Sequence, residues 1–361
     1  MREPALVPPP QTFRDKDVFH DAKGRVFVAH GFIQPSNRVI SYLKYIPSSS
    51  GKWVKGTSNY ERVFSGGAES AAKGMQMIDS DYVVEDSHLG TSLLEVPRES
   101  ISKYFSPELR LKEIVNEGPN DTLEERTKSL AETLHDTLDI PLDRIGVTGS
   151  IAWKAHNPAL SDINMNVYGK EMASLLQNGY DKVVDDNNNV RFRRPEEWKG
   201  TISRLLTRSP MLSEEELLSM FVRRKEFCID DFYIGVMPVL FPDEVPICHG
   251  MESYKSLVSE PIRVRMSVVE SEYSSFTPAL FTVDTKPVPE IGNVKISRLM
   301  IYDGALKDLF RNGDHLEVCG IPQRVEPALD ESRSPVHPFH QIMVGTKAGA
   351  GKEFVRVAEY A

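Results

Sequence analysis

Apolar and polar positions alternate through the first part of the chain. Arg25-Val26-Phe27-Val28-Ala29 and Val39-Ile40-Ser41-Tyr42-Leu43-Lys44-Tyr45-Ile46 are rich in β-branched and aromatic residues, which fit a pleated, half-buried surface. Gly31-Phe32-Ile33-Gln34-Pro35-Ser36-Asn37 separates them as a turn or loop. Strand-like patterning runs from Arg14 to Phe64, and a mixed region continues to about residue 110. The period then changes. Leu123, Leu130, Leu134 and Leu138 fall on one helical face, Asp121-Thr122-Leu123-Glu124 reads as a capping box, and Pro141 lies beyond the end. Ile145-Gly146-Val147-Thr148 and Met165-Asn166-Val167-Tyr168 read as strands, and Gly169-Lys170-Glu171 opens a helix through Leu175 and Leu176. Ser213-Glu214-Glu215-Glu216 caps another helix, whose Leu217, Leu218, Phe221 and Val222 face inward. Phe227-Cys228-Ile229 and Phe232-Tyr233-Ile234-Gly235-Val236-Met237 read as a strand or a tight hairpin. From about residue 260, short strands at 262–269, 279–283, 294–300, 316–320, 341–345 and 354–357 are joined by loops rich in Pro, Gly and Ser, the pattern of a small barrel or sandwich.

The expected fold is therefore an α+β multidomain one: a β-rich N-terminal domain over 1–110, an α/β core over 111–255, and a C-terminal small β-barrel of OB-like character over 256–361. A length of 361 residues agrees with two or three domains. Residues 1–12 are Pro-rich and read as an arm. No apolar run approaches the roughly 18 residues of a membrane span, and the start lacks the apolar core of a signal peptide, so a cytoplasmic protein without membrane contact is expected. Cys228, Cys248 and Cys319 are widely spaced and outside any CxxC pattern, which suits reduced thiols. A formal net charge of −9 argues against sequence-independent coating of nucleic acid, though Arg191-Phe192-Arg193-Arg194 and Arg223-Arg224-Lys225 are local basic clusters.

The chemistry concentrates in one segment. Gly149-Ser150 closes the first core strand, and Asp162-Ile163-Asn164 opens the second. Gly allows close backbone approach, Ser adds a hydroxyl donor, and a following helix N-terminus favours negative charge, so the turn suits a triphosphate. Residues i and i+2 of a strand share a face, so Asp162 and Asn164 present two oxygen ligands to a divalent cation. Lys154, four residues past the turn, is a candidate for the same triphosphate, and His156 lies in the loop between the two halves.

Gly146-Val147-Thr148-Gly149-Ser150-Ile151, His156-Asn157-Pro158, Ser161-Asp162-Ile163-Asn164 and Val167-Tyr168-Gly169 together resemble the core of archaeal predicted nucleotidyltransferases of the DNA-polymerase-β-like superfamily. Arg14-Asp15-Lys16-Asp17 and the 31–47 segment resemble the N-terminal domain of those proteins, and Phe276-Thr277-Pro278 with Gly313-Asp314-His315-Leu316-Glu317-Val318 their C-terminal β-domain. The resemblance implies a metal-dependent transfer of a nucleotidyl group from a nucleoside triphosphate to a hydroxyl acceptor, RNA among the candidates, with Mg2+ or Mn2+ as cofactor. It implies Gly149 and Ser150 as the nucleotide-binding turn and Asp162 as a catalytic metal ligand. Asn164 stands where a second Asp is expected. A third carboxylate is expected near the later strand, where Asp230 and Asp231 are the candidates; both also suit a hairpin turn. The alternative function is a catalytically degenerate nucleotide- or RNA-binding protein on the same core.

Other motifs fail on spacing. Gly345-Thr346-Lys347-Ala348-Gly349-Ala350-Gly351-Lys352-Glu353 has Thr346 where a phosphate-binding P-loop needs Gly, and Glu353 where it needs Ser or Thr. His337-Pro338-Phe339-His340 has no further ligand at zinc-finger spacing. Neither Gly-x-Ser-x-Gly nor His-Glu-x-x-His occurs.

Overall fold

The computed structural model describes residues 7–328 and 337–358, so residues 1–6 of the Pro-rich start lie outside it. The protein is mixed α/β with several sheets, and its chain divides into two compact units. One comprises Met1–Ser65, Glu95–Arg193 and Lys225–Val245; the other Gly66–Leu94, Arg194–Arg224 and Pro246–Ala361. The three consecutive stretches expected from sequence are thus shared between two units, because residues 66–94 and 194–224 leave the first and join the second.

The first unit holds two sheets. An antiparallel sheet has the strand order Trp53–Lys55, Ser58–Arg62, Arg38–Pro47, Val26–Ala29, Val18–Asp21, Ile101–Phe105. A five-stranded sheet has the order Val190–Phe192, Phe227–Ile229, Phe232–Val239, Ile163–Tyr168, Ile145–Val147. In it Ile163–Tyr168 runs parallel to Phe232–Val239 and antiparallel to Ile145–Val147. Ile163, Met165 and Val167 enter a core with Leu130, Leu134, Leu176 and Val183 of the Thr122–Leu138 and Lys170–Asp185 helices. Their strand neighbours, Asn164 among them, therefore point to the other face.

Asp121 caps the Thr122–Leu138 helix, its Oδ1 accepting from the Leu123 and Glu124 amides at 2.9 and 3.1 Å. The other half of the expected box is redirected: Glu124 Oε2 accepts from the Asn120 amide, and its other oxygen from Arg110. Ser213 and Glu216 form the complete reciprocal pair. The Pro107–Glu117 helix lies against the first core strand so closely that a Cβ at Gly146 would sit 2.7 Å from Pro107 Cβ.

The two loosest strand assignments now have physical reasons. Val294 makes only an isolated antiparallel bridge to Val288, and at Ile296 the amide bonds to Thr285 Oγ1 at 2.9 Å instead of a ladder partner; the strand is Arg298–Ile301. Asp230 and Asp231 are the two turn residues of a tight hairpin between Phe227–Ile229 and Phe232–Val239, with φ of 46° and 64°. Positive φ at both central positions suits the twist of such hairpins.

In the second unit, strands Ile262–Tyr273, Ala279–Thr285, Arg298–Ile301, Phe339–Val344 and His315–Pro327 pair in sequence and close on themselves as a five-stranded barrel. Glu252–Ser256 and Phe354–Val357 add to His315–Pro327 outside the ring. The 345–353 loop, whose spacing fails the P-loop pattern, folds around a carboxyl group of its own. Glu353 Oε2 accepts from the Gly345 and Thr346 amides at 2.7 and 2.9 Å, and Oε1 from Thr346 Oγ1 at 2.5 Å. Burial nevertheless outweighs these bonds and pushes the Glu353 carboxyl up to about 7. A raised folded pKa means that the folded state binds the proton more tightly, so this stabilisation is complete below the unfolded value and lost as pH rises through 7. Denaturant unfolding should show stability falling by about 2 kcal/mol between pH 5 and pH 7, and that slope should be absent in Glu353→Gln. An unchanged slope in the variant would assign it to other groups.

Candidate nucleotide site

The sequence around the Gly-Ser turn builds one wall of a cavity of about 160 Å³. Gly149 has φ 64°, a left-handed conformation that L side chains rarely adopt, and this reverses the chain after Thr148. The Thr148 amide bonds to the Asn164 carbonyl at 2.9 Å, extending the pairing of the two core strands up to the turn. Thr148 Oγ1 donates to the Lys16 carbonyl at 2.7 Å, tying the turn to the Arg14–Asp17 motif. The helix that follows is a single turn, Gly149–Ala152, so a sizeable helix dipole is absent from this wall.

Trp153 then plugs the turn into the antiparallel sheet. It is completely buried and clusters with Val18, Val26, Val28, Tyr45, Tyr60 and Phe105. Tyr60 meets it edge-on at 4.8 Å between ring centroids. This packing is why residues of the N-terminal sheet reach the turn at all.

Gly149, Ser150, Asp162 and Asn164 all line the cavity. Asp162 is exposed just before the strand, and Asn164 is half-buried within it. Ser150 is buried, and its Oγ donates to Ser161 Oγ at 3.1 Å. Ser161 Oγ also accepts from the Asn157 amide at 2.9 Å and from Trp53 Nε1 at 3.3 Å. Ser161 thus positions both halves of the motif.

The opposite wall was not expected. Lys16, Lys44 and Arg62 line it, with the aromatic side chains of Tyr42, Tyr45 and Trp53. Burial, then Arg62 and Lys16, lowers the Lys44 ammonium to about 7, against the pull of Asp162. The only sequence signal for Lys44 is a lysine within the apolar and aromatic run Tyr42-Leu43-Lys44-Tyr45-Ile46.

The remaining candidates lie elsewhere. Lys154 takes φ 58° immediately after Trp153 and forms an ion pair with Glu113; it does not line the cavity. Asp230 and Asp231 face Arg126 and Arg191 at 3.5 and 3.0 Å from their turn. The residue paired across the sheet from Asn164 is Gly235, so no side chain stands there. A Cβ built on Gly235 would lie 3.5 Å from Asn164 Oδ1 and 3.7 Å from Glu226 Oε1. Arg193 bonds to Glu226 at 2.7 Å, and Lys225 to Asp181 at 2.5 Å; Arg223 grips Asp314 through two bonds of 2.7 and 2.8 Å.

His156 belongs to a different group. Its Nε2 is 2.6 Å from Asp121 Oδ2 and 3.8 Å from Glu124 Oε1. Ligand atoms of the three residues lie within 4.8 Å of one another, a spacing that can hold a metal ion. Arg110 already pairs with Glu124, and the helix amides with Asp121, so the group is also a bonded structural knot.

Among the described residues no helix is long and apolar enough to cross a membrane. Comparisons with protein-family models, with curated proteins and with solved structures yield no match to this chain.

Proposed function

We propose that the cavity binds a nucleoside triphosphate and that the protein is a metal-dependent nucleotidyltransferase acting on a hydroxyl acceptor. The observation that carries the reading is the convergence of Gly149, Ser150, Asp162 and Asn164 on one cavity that also presents three cations. The resemblance of residues 146–169 to archaeal predicted nucleotidyltransferases supports it. The donor set suits one hard divalent cation: Asp162 and Asn164 offer a carboxylate and an amide oxygen from one strand face. Bound there, Mg2+ or Mn2+ supplies positive charge to the phosphates. Gly149 lets the backbone approach the triphosphate, Ser150 offers its hydroxyl once turned from Ser161, and Tyr42, Tyr45 and Trp53 line the cavity beside them.

Asn164, the empty position at Gly235 and the turn placement of Asp230 and Asp231 favour a second reading, a catalytically degenerate nucleotide- or RNA-binding protein. Calorimetric titration with Mg2+ and nucleoside triphosphates tests the shared part of both. Asp162→Ala should weaken metal-dependent binding at least tenfold, since it removes the one carboxylate lining the cavity. Unchanged binding would sink the nucleotide reading; binding without turnover of labelled triphosphate would select the degenerate one.

A further inference from the structure

We propose that the sheet wall of this cavity is a polyphosphate subsite, in which Lys16, Lys44 and Arg62 receive the phosphate chain of a nucleoside triphosphate. The identity of the anion rests on the nucleotide reading; the assignment of its ligands to the N-terminal sheet goes beyond it.

The whole chain carries a formal −9, yet three cations and one carboxylate, Asp162, line this cavity. Their convergence is long-range: Lys16 comes from the loop before the first strand, Lys44 from Arg38–Pro47 and Arg62 from the end of Ser58–Arg62. Lys16 holds φ 70°, a conformation costly for a side-chain-bearing residue, fixed by its amide bond to the Ala29 carbonyl at 3.0 Å.

Lys16 is paired with Asp15 at 3.0 Å. The Lys44 ammonium has no hydrogen bond or ion pair among the described residues; it lies 5.6 and 5.2 Å from the ring centroids of Tyr42 and Phe64. Arg62 donates Nε to the Phe64 carbonyl at 3.0 Å and has no carboxylate partner among the described residues. A half-buried ammonium without an anion is costly, and a phosphate oxygen relieves it. The lowered Lys44 pKa reports the same shortage.

Size and exclusion complete the case. A cavity of about 160 Å³ is close to one that encloses a benzene ring, which suits one or two phosphate groups with sugar and base left at the mouth. The basic residues flagged by the sequence are already engaged: Lys154 with Glu113, Arg223 with Asp314 and Lys225 with Asp181.

Calorimetry of the full chain in EDTA with orthophosphate, pyrophosphate and tripolyphosphate tests the proposal without metal or nucleotide. Affinity should rise with the number of phosphates and fall with added salt. Lys44→Met and Arg62→Gln should each weaken tripolyphosphate at least tenfold, while Lys44→Arg retains most of the binding. Lys255→Met, in the other unit, should change nothing. A wild type that does not bind, or variants with native melting that bind equally well, would overturn the subsite. Tripolyphosphate binding beside absent turnover of labelled triphosphate supports the subsite and sinks only the transfer reaction.

Discussion

Trp153→Ala should lower the free energy of unfolding by about 3–5 kcal/mol, the range for removing a fully buried large aromatic side chain. Trp153 is completely buried, and His20, Tyr45 and Tyr60 surround it at ring-centroid distances of 5.2, 5.5 and 4.8 Å. These residues belong to strands that cannot close the gap without breaking their ladders, so the cavity left behind collapses poorly. Trp153→Phe should cost far less. It keeps most of the apolar contact and deletes an indole N–H that has no hydrogen-bond partner among the described residues. Urea unfolding followed by far-ultraviolet circular dichroism measures both. The alanine variant should also lose triphosphate binding, since Trp153 holds the Gly149-Ser150 turn against the sheet that supplies Lys44. A loss below about 1 kcal/mol would show that the turn is held by something else.

Local rules carried the sequence reading a long way. Leucine spacing located the Thr122–Leu138 helix, and alternation located Ile163–Tyr168 together with the face on which Asp162 and Asn164 stand. Both depend on neighbours within a few residues, which a sequence displays directly. The barrel strands were visible one by one, but their closure rests on Arg298–Ile301 pairing in parallel with Phe339–Val344, some 40 positions later. The site divides in the same way. The Gly-Ser and Asp-x-Asn residues that line the cavity lie within sixteen positions of one another, so a local motif displays them. Lys16, Lys44 and Arg62 share no motif, since their approach depends on sheet order and on the Trp153 plug. Lys154 lies off the cavity for a related reason: helical spacing does not continue past a helix that ends at Ala152. Asp230 and Asp231 suit either a ligand pair or a turn by sequence, and their positive φ values place them in the turn.

Asn164→Asp combined with Gly235→Asp should raise Mg2+-dependent turnover of labelled triphosphate at least a hundredfold over wild type, if the degenerate reading holds. The two positions face each other across parallel strands, so the new carboxylates would stand side by side, with Asp162 two residues before Asn164 in the chain. Nothing steric forbids the second change: a Cβ at Gly235 meets no atom closer than 3.5 Å. Glu226 Oε1 at 3.7 Å adds like charge, so the double variant should be less stable than wild type in EDTA. Mg2+ should then recover that loss, because it binds the folded site alone, and the melting temperature should climb with metal concentration. Asn164→Asp by itself should give a smaller gain, as it supplies only one of the two missing charges. A wild type already as active as the double variant would mean that the amide suffices and the protein is an enzyme as it stands. A double variant with neither turnover nor a metal-dependent melting shift would remove the metal-site reading of this strand face altogether.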